Sequence, residues 1–107
     1  ISQLDAAALH ALARKLPCRT VVITLGERGA VLSSPDGFHE FMPPPVTVAD
    51  TTGAGDCFNG ALAVELMRGV PLPEACAFAV KAASCKVERS GAALAMPSRA
   101  DIAARFG

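Results

Sequence analysis

The 107-residue sequence is one domain's length or less; it balances ten basic against ten acidic side chains and is 51% hydrophobic, with five Phe and no Trp or Tyr. Ala, Val and Leu must therefore pack the core, which suits an α/β fold of helices on a mostly parallel sheet better than an aromatic-rich β-sandwich. No basic patch suggests nucleic acid, and no apolar run reaches the roughly 20 residues of a membrane-spanning helix, so neither partner is expected.

In chain order, Ser2 with Asp5 three residues on marks a helix start, and Leu4, Leu9, Leu12 and Leu16 recur at helical spacing until Pro17 stops the run. Thr20–Leu25 is a short β-branched run that predicts a buried strand. Gly26-Glu-Arg-Gly29 predicts a tight turn, Ala30–Ser33 a second strand, Pro35-Asp-Gly37 another turn and Phe38–Met42 a half-exposed strand. Pro43-Pro-Pro45 breaks the pattern, and Val46–Val48 predicts one more short strand.

Asp50-Thr-Thr-Gly-Ala-Gly-Asp56 is a Gly-rich loop, and Cys57–Arg68 predicts a helix with Phe58, Leu62 and Leu66 on one face, ended by Gly69. A longer helix is expected from about Glu74 to Glu88, ended by Gly91, and Ser98 caps a last short one with Asp101 in its first turn. Cys18, Cys57, Cys76 and Cys85 show no metal-binding spacing and are expected as reduced thiols of a cytoplasmic protein, with no signal peptide expected. His10 and His39 are expected at the surface, and Met42, Met67 and Met96 in packing.

The loop before the Cys57 helix carries the chemistry. Gly53, Ala54 and Gly55 leave the backbone bare at a helix start, where free N–H groups and the helix dipole favour an anion, most simply a phosphate. The common phosphate-loop patterns are not met, since the loop has no Lys and Phe58 stands where G-x-G-x-x-G needs its third glycine. Asp56 would repel a passive phosphate, but it makes sense as a general base that takes a proton from a hydroxyl beside one. The plainer alternative is a first-turn helix acid beside two turn glycines.

Asp50–Leu62 closely resembles the C-terminal signature of ribokinase-like (PfkB) carbohydrate kinases. Thr24–Gly29 resembles the family's nucleotide-side strand and turn, while Pro71–Ala75 and the Arg89–Ala92 and Met96-Pro97 segments are similar to its ribokinase branch. The resemblance runs along nearly the whole chain but covers only about the last third of a family member. It implies that residues 1–107 are the C-terminal nucleotide- and phosphate-binding part of a ribokinase-like fold, with the N-terminal sugar-binding part outside this chain. The opening residue, Ile1 rather than Met, agrees with a processed chain or a piece of a longer one.

The same resemblance implies ATP-dependent phosphorylation of a sugar hydroxymethyl group, ribose first. Asp56 would be the base that meets the substrate, and Gly53, Ala54 and Gly55 the anion hole for the γ-phosphoryl group. Thr24, Leu25, Gly26, Glu27, Arg28 and Gly29 would lie along the nucleotide, with Gly55 beside its phosphates. Asp50 and Thr52, with carbonyls near Lys86, Arg89 and Gly91, would hold a monovalent cation such as K⁺. Ala95 and Val80 depart from the family there, each replacing a polar residue. Mg²⁺ is implied with ligands mostly outside this chain, because Asn59 is the single Asn and no Asn-x-x-Glu is present. The expected partners are a small sugar and ATP, and a homodimer of the full-length protein is compatible with the family. The other reading is a truncated, catalytically silent domain that binds nucleotide or a partner; the intact loop with Asp56 favours the enzyme.

Overall fold

A computed structural model describes residues 3–51, 53–88 and 97–106. Its elements are α1 (Gln3–Arg14), β1 (Val21–Thr24), a 3₁₀ turn (Gly26–Arg28), β2 (Ala30–Ser34), β3 (Gly37–Phe41), α2 (Ala54–Met67), α3 (Leu72–Val87) and α4 (Arg99–Phe106).

The α/β class and the order of elements follow the sequence expectation, but the sense of the sheet does not. Among the described residues the three strands pair in the order β1-β2-β3, antiparallel throughout. The connections dictate this: a 3₁₀ turn joins β1 to β2, and two residues join β2 to β3. A parallel pair needs a crossover of a dozen or more residues. The mostly parallel sheet expected from composition is thus absent from the described part of the chain. The strand expected at Val46–Val48 is also missing. Three consecutive prolines before it lack donors, and the Ala49 and Asp50 amides both donate to Val87 O, at 2.7 and 3.1 Å, rather than to a strand neighbour.

Strand alternation divides the sheet into two faces. Val22, Ala30 and Phe41 share the face on which α2 and α3 pack, through a cluster of Phe58, Ala79 and Val80. Ser33 and its partner Phe38 lie on the other face, against α1. There His10 Nδ1 lies 2.6 Å from Ser33 Oγ, and Arg14 donates to Ser33 Oγ and Ser33 O at 3.2 and 2.8 Å. His10 is therefore a half-buried docking residue rather than the free surface residue expected. In the same helix Ala13 is buried while Leu12 is exposed, as is Leu16 beyond the helix end.

The α2–α3 pair packs through small residues, with Ala75, Cys76, Ala79 and Ala82 all buried. A second cluster of Cys57, Ala82, Cys85 and Ile102 seats α4. The cap expected of Ser98 is present and reciprocal: the Asp101 amide donates to Ser98 Oγ at 3.1 Å and the Ser98 amide to Asp101 Oδ2 at 2.8 Å. All four cysteines are free; Cys18 is exposed and the other three are buried.

Candidate active site

The 3₁₀ turn after β1 is built by its own backbone. The Leu25 amide donates to Gly29 O at 2.8 Å, Arg28 to Leu25 O at 3.2 Å and Gly29 to Gly26 O at 3.0 Å. Gly29 takes φ 91 and ψ −129, a conformation side chains rarely adopt. The requirement is also steric, since a Cβ there would lie 1.9 Å from Phe41 O.

At the other loop α2 starts at Ala54, three residues earlier than its expected start at Cys57. Gly53 is the N-cap, with φ 78 and ψ 3 in the left-handed region, and its carbonyl receives the Cys57 amide at 2.9 Å. The Ala54 amide donates to Thr51 O at 3.2 Å, closing the turn. Gly55 and Asp56 thus occupy the first turn of a 14-residue helix, where the dipole presents partial positive charge. A Cβ at Gly55 would meet nothing within 4 Å. Asp56 is exposed, and among the described residues its carboxylate makes no hydrogen bond or ion pair.

A cavity of about 720 Å³ joins the two loops. Thr24, Gly26 and Gly29 line one side and Thr51, Ala54 and Gly55 the other. Its floor is α3 at Val80, Ala83, Ser84 and Val87, with Phe58 beside them. Its outer wall is the Pro43–Pro45 run with Met42, Val46 and Val48. The volume is that of a small-molecule site, and a mostly apolar lining with a few convergent polar groups is the usual character of one.

Of the residues expected along the nucleotide, the structure brings Thr24, Gly26, Gly29 and Gly55 to this cavity; Leu25 and Arg28 do not line it, and Arg28 is exposed. Thr51, Ser84 and the proline wall were not singled out from the sequence as site residues. The proline run is visible there only as a break in strand pattern, and Thr51 only as a member of the loop. Ser84 Oγ donates to Val80 O at 2.9 Å, so this hydroxyl is engaged along its own helix.

Beneath the turn, a Cβ on Gly53 would lie 3.6 Å from Lys86 Cε. Lys86 is fully buried, although the sequence reading used only the carbonyls around it. Burial pushes the thiol of nearby Cys57 up, the charge of Lys86 pulls it down, and Cys85 adds to the rise. Of the other expected cation ligands, Asp50 is half-buried and has an interaction partner, while Thr52, Arg89 and Gly91 lie outside the described residues. Of this set only Asp50 and Lys86 lie among the described residues, and Lys86 brings a buried lysine side chain close to the turn at Gly53. Among the described residues no group of three His, Cys, Asp or Glu could hold a metal ion, and no helix is long and apolar enough to cross a membrane.

The arrangement is an α/β fold with a helix start beside a small-molecule cavity. The family model for pfkB family carbohydrate kinases matches residues 3–99. Ribokinase of Schizosaccharomyces pombe is 37% identical over 89 residues, which is 82% of this chain and 28% of that protein. The structure of Thermotoga maritima ribokinase superposes with a TM-score of 0.83 at 35% identity, over 91% of this chain and 33% of the relative. Arabidopsis thaliana ribokinase, complexed with ribose and ATP, gives 0.84 at 32% identity, over 96% and 34%. The chain belongs to the pfkB family of carbohydrate kinases. It spans about a third or less of the length of these relatives.

Proposed function

We propose that this chain is the nucleotide- and phosphate-handling part of an ATP-dependent sugar kinase, with ribose as first candidate acceptor. The observation that carries this reading is the shared cavity: Thr24, Gly26 and Gly29 meet Ala54 and Gly55 around one volume, although the two turns lie more than twenty residues apart. The apolar floor and proline wall suit a nucleoside, and the α2 start suits its phosphates.

In this reading the Asp56 carboxylate accepts the proton of the sugar hydroxymethyl group. The sugar oxygen forms its bond to the γ-phosphorus as the bond from that phosphorus to the bridging oxygen breaks, and ADP leaves with that electron pair. Gly53, Ala54 and Gly55 stabilise the charge on the transferring group, with the Ala54 amide shared by the turn bond to Thr51 O. Mg²⁺, when bound, neutralises phosphate charge from ligands outside this chain. Asp56 suits the role of base because it is exposed, and among the described residues its carboxylate is unengaged, beside a residue that lines the cavity.

The test is sugar-dependent ADP release by the gene product that carries this chain, with ribose, fructose and a nucleoside as acceptors. Asp56→Asn keeps the shape and removes the base, so turnover should fall by about 10²–10⁴-fold with ATP binding retained. A variant keeping most of its kcat removes Asp56 from the role of base; a wild-type protein silent with every acceptor removes the kinase reading.

A further inference from the structure

Among the described residues Lys86 is the largest fully buried side chain, with 0% of its surface exposed. Lysine is almost never fully buried unless its charge is matched, and Lys86 does have an interaction partner. Its position lies at the meeting of three segments. It stands in the last turn of α3, next to Val87, whose carbonyl receives the amides of Ala49 and Asp50. Its Cε lies 3.6 Å from where a Cβ of Gly53 would be, so the end of its side chain reaches the turn that starts α2. The Cys57 thiol, one turn into α2, feels the same charge.

A fixed positive charge under an anion-binding turn does two things. It adds to the partial charge of the helix start, and it ties the turn at Gly53 to α3 without recruiting an ion from solution. A bound monovalent metal ion would supply the same charge to the same loop, and the two would repel one another. Gly53 fits this arrangement, because a Cβ at that position would pack on the lysine chain while the left-handed backbone strained it.

We propose that Lys86 is a tethered monovalent cation for the Gly53–Gly55 turn, so that phosphoryl transfer by this protein needs no added K⁺. The inference rests on the kinase reading above. Lys86 acts through the turn and is a positioning residue.

The experiment uses the gene product that carries this chain, assayed in K⁺ and in tetramethylammonium at equal ionic strength. Wild-type turnover should be the same in both. Lys86→Met, which keeps the bulk and removes the charge, should lower kcat by about 10- to 100-fold in tetramethylammonium, as loss of a supporting group next to a site commonly does. K⁺ should restore part of that loss. Thermal unfolding gives a readout without turnover: K⁺ should raise the Tm of Lys86→Met and leave that of wild type unchanged. Strong activation of the wild type by K⁺, or full activity of Lys86→Met without it, overturns the proposal and leaves the kinase reading standing. If Lys86→Met does not fold, the K⁺ response of the wild type decides alone. Absence of wild-type turnover with every sugar counts against the kinase reading, and K⁺ stabilisation of the wild type against unfolding then separately overturns the tethered cation.

Discussion

Gly29 has no room for a side chain. A Cβ there would lie 1.9 Å from Phe41 O and 3.0 Å from Pro43 Cδ, so Gly29→Ala must reshape the turn or push β3 aside. The backbone conformation alone costs about 1–3 kcal/mol for a residue with a side chain. Gly26, at φ 60, has nothing within 4 Å of an added Cβ and meets only the left-handed penalty. Thermal unfolding should place Gly29→Ala clearly below Gly26→Ala; equal melting temperatures would remove the close approach. Gly55 predicts the opposite pairing of effects. It lies in helix α2 with open space around it, so Gly55→Ala should raise stability by about 0.5–1 kcal/mol. It also lines the cavity, so the same methyl group should weaken nucleotide binding or turnover. A variant both more stable and fully active would separate Gly55 from the site. Gly53 and Gly55 were legible in the sequence because bare backbone before a helix has a composition of its own. The burial of Lys86 was not, because it depends on how α3 meets the turn in space.

At the scale of elements, helices were the more legible. α3 and α4 start within two residues of their expected positions, since proline and Ser98 punctuate the sequence there. α2 starts early because Ala54 and Gly55 look like loop residues, yet Gly53 alone turns the chain into the helix. The expected face of Phe58, Leu62 and Leu66 holds for the first two; Leu66 is exposed. Each step of four residues advances about 400° around the helix, so two steps carry the side chain roughly 80° off the buried stripe. The end of α2 instead carries a buried acid. Glu65 accepts from Arg68 at 3.4 Å and from Arg99 on α4, while Arg99 also lies 4.8 Å over the Phe78 ring of α3. The Arg99 hydrogen bond holds the Glu65 carboxyl below the usual carboxylate value, against the opposing effect of burial, with the charges of Arg99 and Arg68 adding to the drop. A lowered folded value means that the ion pair stabilises above the unfolded Glu pKa of about 4.3 and loses that contribution as pH falls through the lowered value. Melting curves of wild type and Glu65→Gln should therefore differ most near neutrality, by about 1–3 kcal/mol, and converge in acid. A gap independent of pH would show that the pair is not what ties α2 to α4.

At the scale of the whole molecule, composition pointed to the α/β class, but the mostly parallel sense it suggested is not that of the described strands. Ala- and Val-rich packing is common to parallel and antiparallel layers under helices, and only the short connections decide between them. Nothing in the spacing of Gly29 and Gly55 says that their turns meet; only the family resemblance put both at one nucleotide. The antiparallel sheet has a further consequence. β1, β2 and β3 form a meander of sequence-local contacts, and α2 with α3 forms a second local unit joined by a short turn. Each unit closes only short loops as it forms, which favours rapid assembly. What remains is the docking of one unit on the other, through the patch of Ala30, Phe58, Ala79 and Val80. The cavity lies along that seam, with walls drawn from both units and from the segment between them. A ligand seated there bridges two folding units, so its binding free energy adds directly to their cohesion.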